Sequence, residues 1–209
     1  MKSSTRLSFS KLLSGCIILI VFVVFASCSD FKQLGKNEKK WVYKHPFAAL
    51  KIKKVKKGCD AFYAGMKNNP DLDTYENGGK LDAYRHMFYT LMFTTKVKER
   101  KVISLGIAHE KDNYLMFLKN QKEEKELADS ISCEMDLLNN MEALNVIQKM
   151  QREISFEKAS QACVNHIKTG YAYFIKRNEK GNYVRCDGSI INMKEYAGKW
   201  DIPKCLIQK

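Results

Sequence analysis

The chain is poor in the devices that mark familiar enzyme classes. Three prolines in 209 residues leave most elements uninterrupted. There is no C-x-x-C, which argues against a zinc ribbon or a thioredoxin-like site. "AHEKDN" lacks the second histidine of H-E-x-x-H, so the usual zinc-hydrolase helix is missing. No G-x-S-x-G elbow, phosphate loop or dinucleotide fingerprint occurs. The loop "KNNPDLDTYENGGK" is no calcium hand, because Tyr75 takes a ligand position and Glu76 the place of the turn glycine. Internal repeats and long low-complexity runs are also lacking. Hydrophobic residues make up 45% and charged residues 28%, so the body is expected to be globular and not disordered.

What is present begins at the N-terminus. "MKSSTRLSFSKLLSG" carries Lys2, Arg6 and Lys11, and "CIILIVFVVFA" follows as an unbroken apolar run. A charged n-region before an h-region is the pattern of a secretory signal. Leu12 to Ala26 is 15 residues with Ser14 and Gly15 inside, short of the ~20 a membrane span needs. Ala26 and Ser27 before Cys28 resemble the lipobox of bacterial lipoproteins, with Phe25 where Leu is usual. That resemblance implies a signal at 1–27, cleaved before Cys28, and lipidation of Cys28. The expected place is the cell envelope, on a membrane and facing the periplasm or the exterior. The alternatives are a retained anchor or ordinary signal cleavage. Basic residues directly after an apolar segment tend to stay cytoplasmic, which pulls against export.

Charge is unevenly distributed. Residues 31–57 hold ten lysines and one glutamate, whereas residues 58–209 hold 23 basic and 21 acidic residues. Residues 28–57 are therefore expected to form a lipidated, lysine-rich tether, and 58–209 a helical domain. A nucleic-acid binder would carry its basic face on the folded body, with aromatics between the charges. Lysines beside a lipid anchor fit anionic headgroups better, so the expected partner is a membrane and not nucleic acid.

Seven cysteines occur. Apart from Cys16 and Cys28, there remain Cys59, Cys133, Cys163, Cys186 and Cys205. An oxidising compartment allows up to two bridges, and Cys186 with Cys205 is the first pair to test. Five reduced, mostly buried thiols is the other outcome.

The domain reads as mainly α, a bundle of about four to five helices with a small C-terminal β-hairpin. The stretch from Pro46 to Met66 has a mixed, helix-leaning pattern. Helices are expected over Leu81 to Lys98, over "KERKVISLGIAHEKDNYLMFLKNQ" as one piece or two, and over "EKELADSISCEMDLLNNMEALNVIQKMQ". A further one, "SFEKASQACVNHIKTG", has Ser155 as cap and stops at Gly170. "YAYFIKRNEKGNYVRC" reads as two strand-like runs around a glycine-containing turn.

Three polar clusters interrupt these apolar helices. At 100° per residue, Asp82, Arg85, His86 and Tyr89 share one arc, and Tyr84, Phe88, Leu91 and Met92 another. Asp136, Asn139 and Asn140 form an i, i+3, i+4 set. His109 lies in line with Val102, Leu105 and Asn113, with Glu110 rotated away. Buried polar groups need partners, so the clusters are expected to meet, with an Arg85–Asp136 pair near His86 and His109. Such a network can simply fix helix register. Lining a cleft, the same groups suit acid–base catalysis or a divalent metal. The candidate catalytic residues are Asp82, Arg85, His86, His109 and Asp136. The candidate metal ligands are His86, His109, Glu110 and Asp136, and the candidate binding residues Tyr89, Asn139 and Asn140.

"DAYRH" at 82–86, "AHE" at 108–110 and "EMDLLNN" at 134–140 resemble an uncharacterised bacterial domain family, over roughly residues 70–178. That family reads D-A-[aromatic]-R-H, then A-H-E, then M-D-L-x-N-N, and occurs in lipoproteins and secreted proteins. Tyr89 stands where Trp is common. "YRHMFY" is also similar to the C-x-R-H-D-x-x-Y helix of secreted bacterial phospholipases A2. Met87 replaces that family's calcium-binding Asp, so this second resemblance requires Asp136 to substitute in space. The functional expectations are a lipid-anchored envelope protein with a hydrolytic or metal site, or a non-catalytic lipoprotein with an internal network. A phospholipase A2-like enzyme is the narrower alternative.

Overall fold

A computed structural model describes residues 29–121, 127–150 and 154–209. The expected signal peptide and Cys28 lie outside these residues. The described chain is mainly helical, with one small two-stranded antiparallel sheet near the C-terminus. Its helices are α1 (Ser29–Gln33), α2 (Lys36–Lys44), α3 (Pro46–Met66), α4 (Lys80–Thr94), α5 (Glu99–Asn120), α6 (Ser130–Gln148) and α7 (Phe156–Lys168). Strand β1 (Tyr173–Ile175), a 3-10 turn (Met193–Tyr196) and β2 (Leu206–Gln208) complete the order. Among the described residues, no helix is long and apolar enough to cross a membrane.

Helix α4 is the hub. It packs on α3, α5, α6 and α7. Its apolar residues run all round, which is the signature of a helix enclosed on every side. Leu81, Ala83, Tyr84, Met87, Phe88 and Leu91 are buried together with Cys59, Cys163 and Ile167 from α3 and α7. Helix α7 begins and ends where the sequence indicates. Ser155 Oγ accepts from the Lys158 N–H at 3.3 Å, and Gly170 follows with φ +82°.

The lysine-rich stretch expected to be a tether is instead part of the folded body. Trp41, Val42, Ala48, Ala49 and Ile52 are buried with Val97, Val102 and Ala108 in a second core. Apolar side chains recur between the lysines at helical spacing, so the basic residues line the outer face of an amphipathic pair. Asp112 of α5 caps α2 from outside, accepting the N–H groups of Asn37 and Glu38 at 2.9 Å. Trp41 Nε1 donates to Ser104 Oγ at 2.8 Å.

The expected hairpin survives as a turn closed by an Arg177–Tyr183 bridge, while the ladder of β1 forms with the chain end. Tyr173 faces Gln208 and Ile175 faces Leu206. The chain from 176 to 205 wraps over α6 and buries Tyr183, Ile191 and Ile202 against Met135. Cys186 and Cys205 form a disulfide in this cover, whereas Cys59, Cys133 and Cys163 are buried free thiols. Asn139 of α6 holds the start of the cover. Its Oδ1 accepts from the Tyr173 N–H at 3.0 Å, and its Nδ2 donates to the Tyr173 carbonyl at 2.8 Å. Asn139→Ala should lower unfolding free energy by about 1–3 kcal/mol, because both backbone groups lose their partner. Urea unfolding of the two proteins measures this; unchanged midpoints would show that β1 needs no such clamp.

Candidate functional site

The site is built around the first turns of α4. Asp73 satisfies the exposed N–H groups of Lys80 and Leu81 at 2.8 and 3.2 Å, which sets where the helix starts. Gly78 has φ +74°, and a Cβ there would lie 2.9 Å from Ile175 Cδ1. Its N–H donates to Asp82 Oδ2 at 2.7 Å, and its carbonyl accepts the Ile175 N–H at 2.7 Å. One glycine therefore joins the loop, the helix and β1 at the carboxylate.

Asp82, Arg85 and His86 share one arc of α4. Arg85 Nη2 lies 2.6 Å from Asp82 Oδ1 and 3.1 Å from His86 Nε2. Helix α6 brings in Asp136, whose Oδ1 lies 3.2 Å from His86 Nε2. His86 Nε2 is 3.5 Å from Asp82 Oδ1. The expected Arg85–Asp136 pair is thus replaced by Arg85–Asp82 and His86–Asp136, since an i, i+3 carboxylate on its own helix reaches the guanidinium first. One ligand atom each from Asp82, His86 and Asp136 lies within 4.8 Å of the others. Asp136 Oδ1 is sealed from solvent and makes no hydrogen bond.

The other candidates disperse. His109 lines the same cavity from α5, but its side chain is half exposed and its Nδ1 lies 2.9 Å from Glu38 Oε1. It points there because α2 packs along α5. Glu110 is buried, with Oε2 accepting from Asn113 Nδ2 at 2.8 Å and Oε1 without a hydrogen-bond partner. Tyr89 leaves the arc and donates to Asp60 Oδ1 on α3 at 2.7 Å. Asn140 accepts from Thr90 Oγ1 at 2.7 Å, and its Nδ2 crowds Gly106, where a Cβ would lie 2.8 Å away. Asn139 and Asn140 therefore join helices and strand and do not face the cavity.

Burial and neighbouring charge together set the protonation. Burial above all pushes the Asp136 carboxyl up to about 7, with Asp82 and Glu110 adding to it against the pull of His86 and Arg85. Burial alone would lower His86, yet Asp136 and Asp82 hold its pKa above the ordinary imidazole value. Asp82 goes the other way. Burial raises it, but its bonds to His86, Arg85 and the Gly78 N–H hold it below the ordinary carboxylate value. The hydrogen bond to Glu38 raises His109.

A cavity of about 180 Å³ opens over Asp82, Arg85, His109 and Asp136. Its far wall comes from the C-terminal cover. Lys204 Nζ sits 2.6 Å from Asp129 Oδ2 and 3.8 Å from the centroid of the Tyr183 ring, with both charges almost wholly buried. The sequence pattern missed these two. Asp129 was open to detection as a D-x-x-S cap, since its Oδ1 accepts from the Ser132 N–H at 2.9 Å. Lys204 carries no local signal; folding alone brings it here.

Two carboxylates and an imidazole suit a hard or borderline divalent cation, or a proton exchanged near neutral pH. Arg85 beside Asp82 opposes a cation and favours negative charge in a bound group.

The fold and site together define a helical domain with a buried Asp–His–Asp centre under a disulfide-closed cover. The chain belongs to the family of a domain of unknown function (DUF6973), whose model matches residues 39–171. The match starts well before residue 70, within the stretch that folds as α2 and α3. No curated protein and no solved structure matches the chain. Asp82, Arg85, His86, His109 and Asp136 fall inside the family segment, whereas Tyr183 and Lys204 lie beyond it.

Proposed function

We propose that this is a lipid-anchored cell-envelope protein whose helical domain is a hydrolase centred on Asp82, His86 and Asp136. The observation that carries the reading is the convergence of three ligand atoms within 4.8 Å beneath a cavity, with the buried Asp136 Oδ1 facing His86 at 3.2 Å and making no hydrogen bond. A buried carboxylate with an imidazole contact but no hydrogen bond is incompletely satisfied, and Asp82, His86 and Asp136 would together hold a divalent cation that completes it. The cation would polarise a water for attack on a bound ester, amide or phosphoester, the water dividing between the two products. Arg85 would hold a negatively charged group of the substrate. At about 180 Å³, the cavity suits a headgroup or terminal residue more than a whole large ligand. The Cys186–Cys205 bridge is in keeping with an oxidising envelope compartment.

A second reading rests on Asp82, both of whose oxygens are already engaged, by Arg85 and by the Gly78 N–H. On that reading the cluster is an internal network that fixes helix register in a non-catalytic lipoprotein. The phospholipase A2-like reading, a narrower form of the hydrolase, draws support from Asp136 reaching His86 from another helix, and it further requires that carboxylate to take the calcium-binding role that Met87 lacks.

Titration calorimetry with manganese and with zinc separates them. The hydrolase reading expects about one cation per chain and at least a tenfold weaker Kd for Asp136→Asn. No binding of either metal, with His86 and Asp136 coupled only in stability, would leave the network reading.

A further inference from the structure

The outer face of α2 and α3 has no role in the centre at His86, yet it has a marked chemical character. Lys36, Lys40, Tyr43 and Lys44 of α2 are exposed, as are Phe47, Lys51 and Lys54 of α3. The spacing is that of a single helical face in each element. No acidic residue occurs between Lys39 and Lys57. Two large aromatics stand among these lysines, Tyr43 at 49% and Phe47 at 58% exposure. They flank the α2–α3 joint at His45, where slight burial and then the charges of Lys101, Lys44 and Arg100 hold the imidazole pKa down. The start of α5 thus adds cations to the same corner.

A lysine face in water is ordinary, as are single exposed rings, but Tyr43 and Phe47 beside the lysines at one helix joint make a mixed basic and aromatic surface. Lysine stems with aromatic rings between them are the composition of a surface that lies at a lipid headgroup layer. Position agrees with this. Helix α2 begins at Lys36, eight residues after Cys28. Even fully extended, that link spans only about 28 Å. The apolar run at 16–26 immediately precedes it.

We propose that the folded α2–α3 face docks flat on an anionic phospholipid bilayer, with Tyr43 and Phe47 at headgroup depth and Lys40, Lys44, Lys51 and Lys54 on the phosphates. The basic segment is then a rigid docking surface and not a spacer. Because α2 also bears Glu38, the partner of His109 at the cavity rim, docking holds the cavity in a set orientation to the membrane. The inference goes beyond the hydrolase reading and does not depend on the chemistry at His86.

The test is hydrogen–deuterium exchange on the full chain reconstituted into vesicles. One set is pure phosphatidylcholine, and the other carries one third phosphatidylglycerol. Flotation with the neutral vesicles reports the N-terminal anchor alone. Peptides spanning 40–54 should exchange several-fold more slowly on the anionic set only. Each lysine near such a surface shifts the docked fraction by about fivefold. The variant Lys40→Glu, Lys44→Glu, Lys51→Glu, Lys54→Glu should lose that protection while keeping its thermal midpoint in solution. Equal exchange on both vesicle types overturns the proposal, as does protection that persists in the quadruple variant. Protection confined to the exposed apolar residues Tyr114, Leu115, Met116 and Leu118 also overturns it, because a different face would then meet the bilayer.

Discussion

Lys204→Met should destabilise the protein by about 3–5 kcal/mol, the loss expected when one partner of a buried ion pair is removed. The ammonium and the Asp129 carboxylate are 2.6 Å apart, with side-chain exposures of 3% and 2%. Methionine fills the volume but leaves Asp129 charged and without its counter-ion. The Tyr183 ring also loses the Lys204 ammonium, although the Arg177 guanidinium stays 3.8 Å from its centroid. The companion Asp129→Asn should recover most of the loss when added to Lys204→Met. An asparagine side chain can still accept from the Ser132 N–H and cap α6, and it no longer needs a counter-ion. Urea unfolding of wild type, both single variants and the double variant gives the coupling directly. A strictly additive double variant would show that the pair is not an energetic unit.

Between about pH 4 and pH 7, stability should fall as pH rises, by a total of a few kcal/mol. The Asp136 carboxyl is pushed up to about 7, so the native state keeps a proton that the unfolded chain releases near pH 4. A raised folded pKa contributes stability that is complete below the unfolded value and is lost as pH climbs through the folded one. His86, also raised, adds the same sign above its unfolded value of about 6.5. Asp82 and Glu38, both lowered, act oppositely and lose their contribution only on acidification. Asp136→Asn, which imitates the protonated acid, should flatten most of the fall between pH 5 and pH 7. Wild type and variant with parallel pH profiles would refute the protonated-carboxyl reading. The same proton links this result to the metal proposal. Cation binding at pH 6 should expel it, so calorimetric heats should depend on the buffer's ionisation enthalpy.

The helical map was legible because the apolar spacing was strong. Leu81, Tyr84, Phe88 and Leu91 are as buried as their spacing demanded. Ser155 and Gly170 bound α7 by local chemistry that needs no tertiary contact. The lysine-rich segment misled because charge outweighed the pattern beneath it. Trp41, Val42 and Ile52 were present at helical spacing, but lysines dominated the composition. The strand pairing was also beyond local reading. A turn at 178–181 suggests a hairpin, yet β1 takes Leu206–Gln208 as its neighbour. Strand partners are chosen by which edge the packed helices leave available, and Asn139 holds that edge open for pairing.

The amino-acid pattern by itself determined that the polar triplet at 82–86 needed buried partners on other helices. Periodicity places Asp82, Arg85 and His86 on one arc, and the cost of burying unpaired charge requires company for them. Only the tertiary structure decided who the partners are. Arg85 closes on Asp82, His86 meets Asp136, Tyr89 and Asn139 turn to structural work, and Lys204 arrives from more than a hundred residues away. Angular position along a helix follows from a fixed rise and rotation per residue. The distance between two helices follows from the packing of every side chain between them.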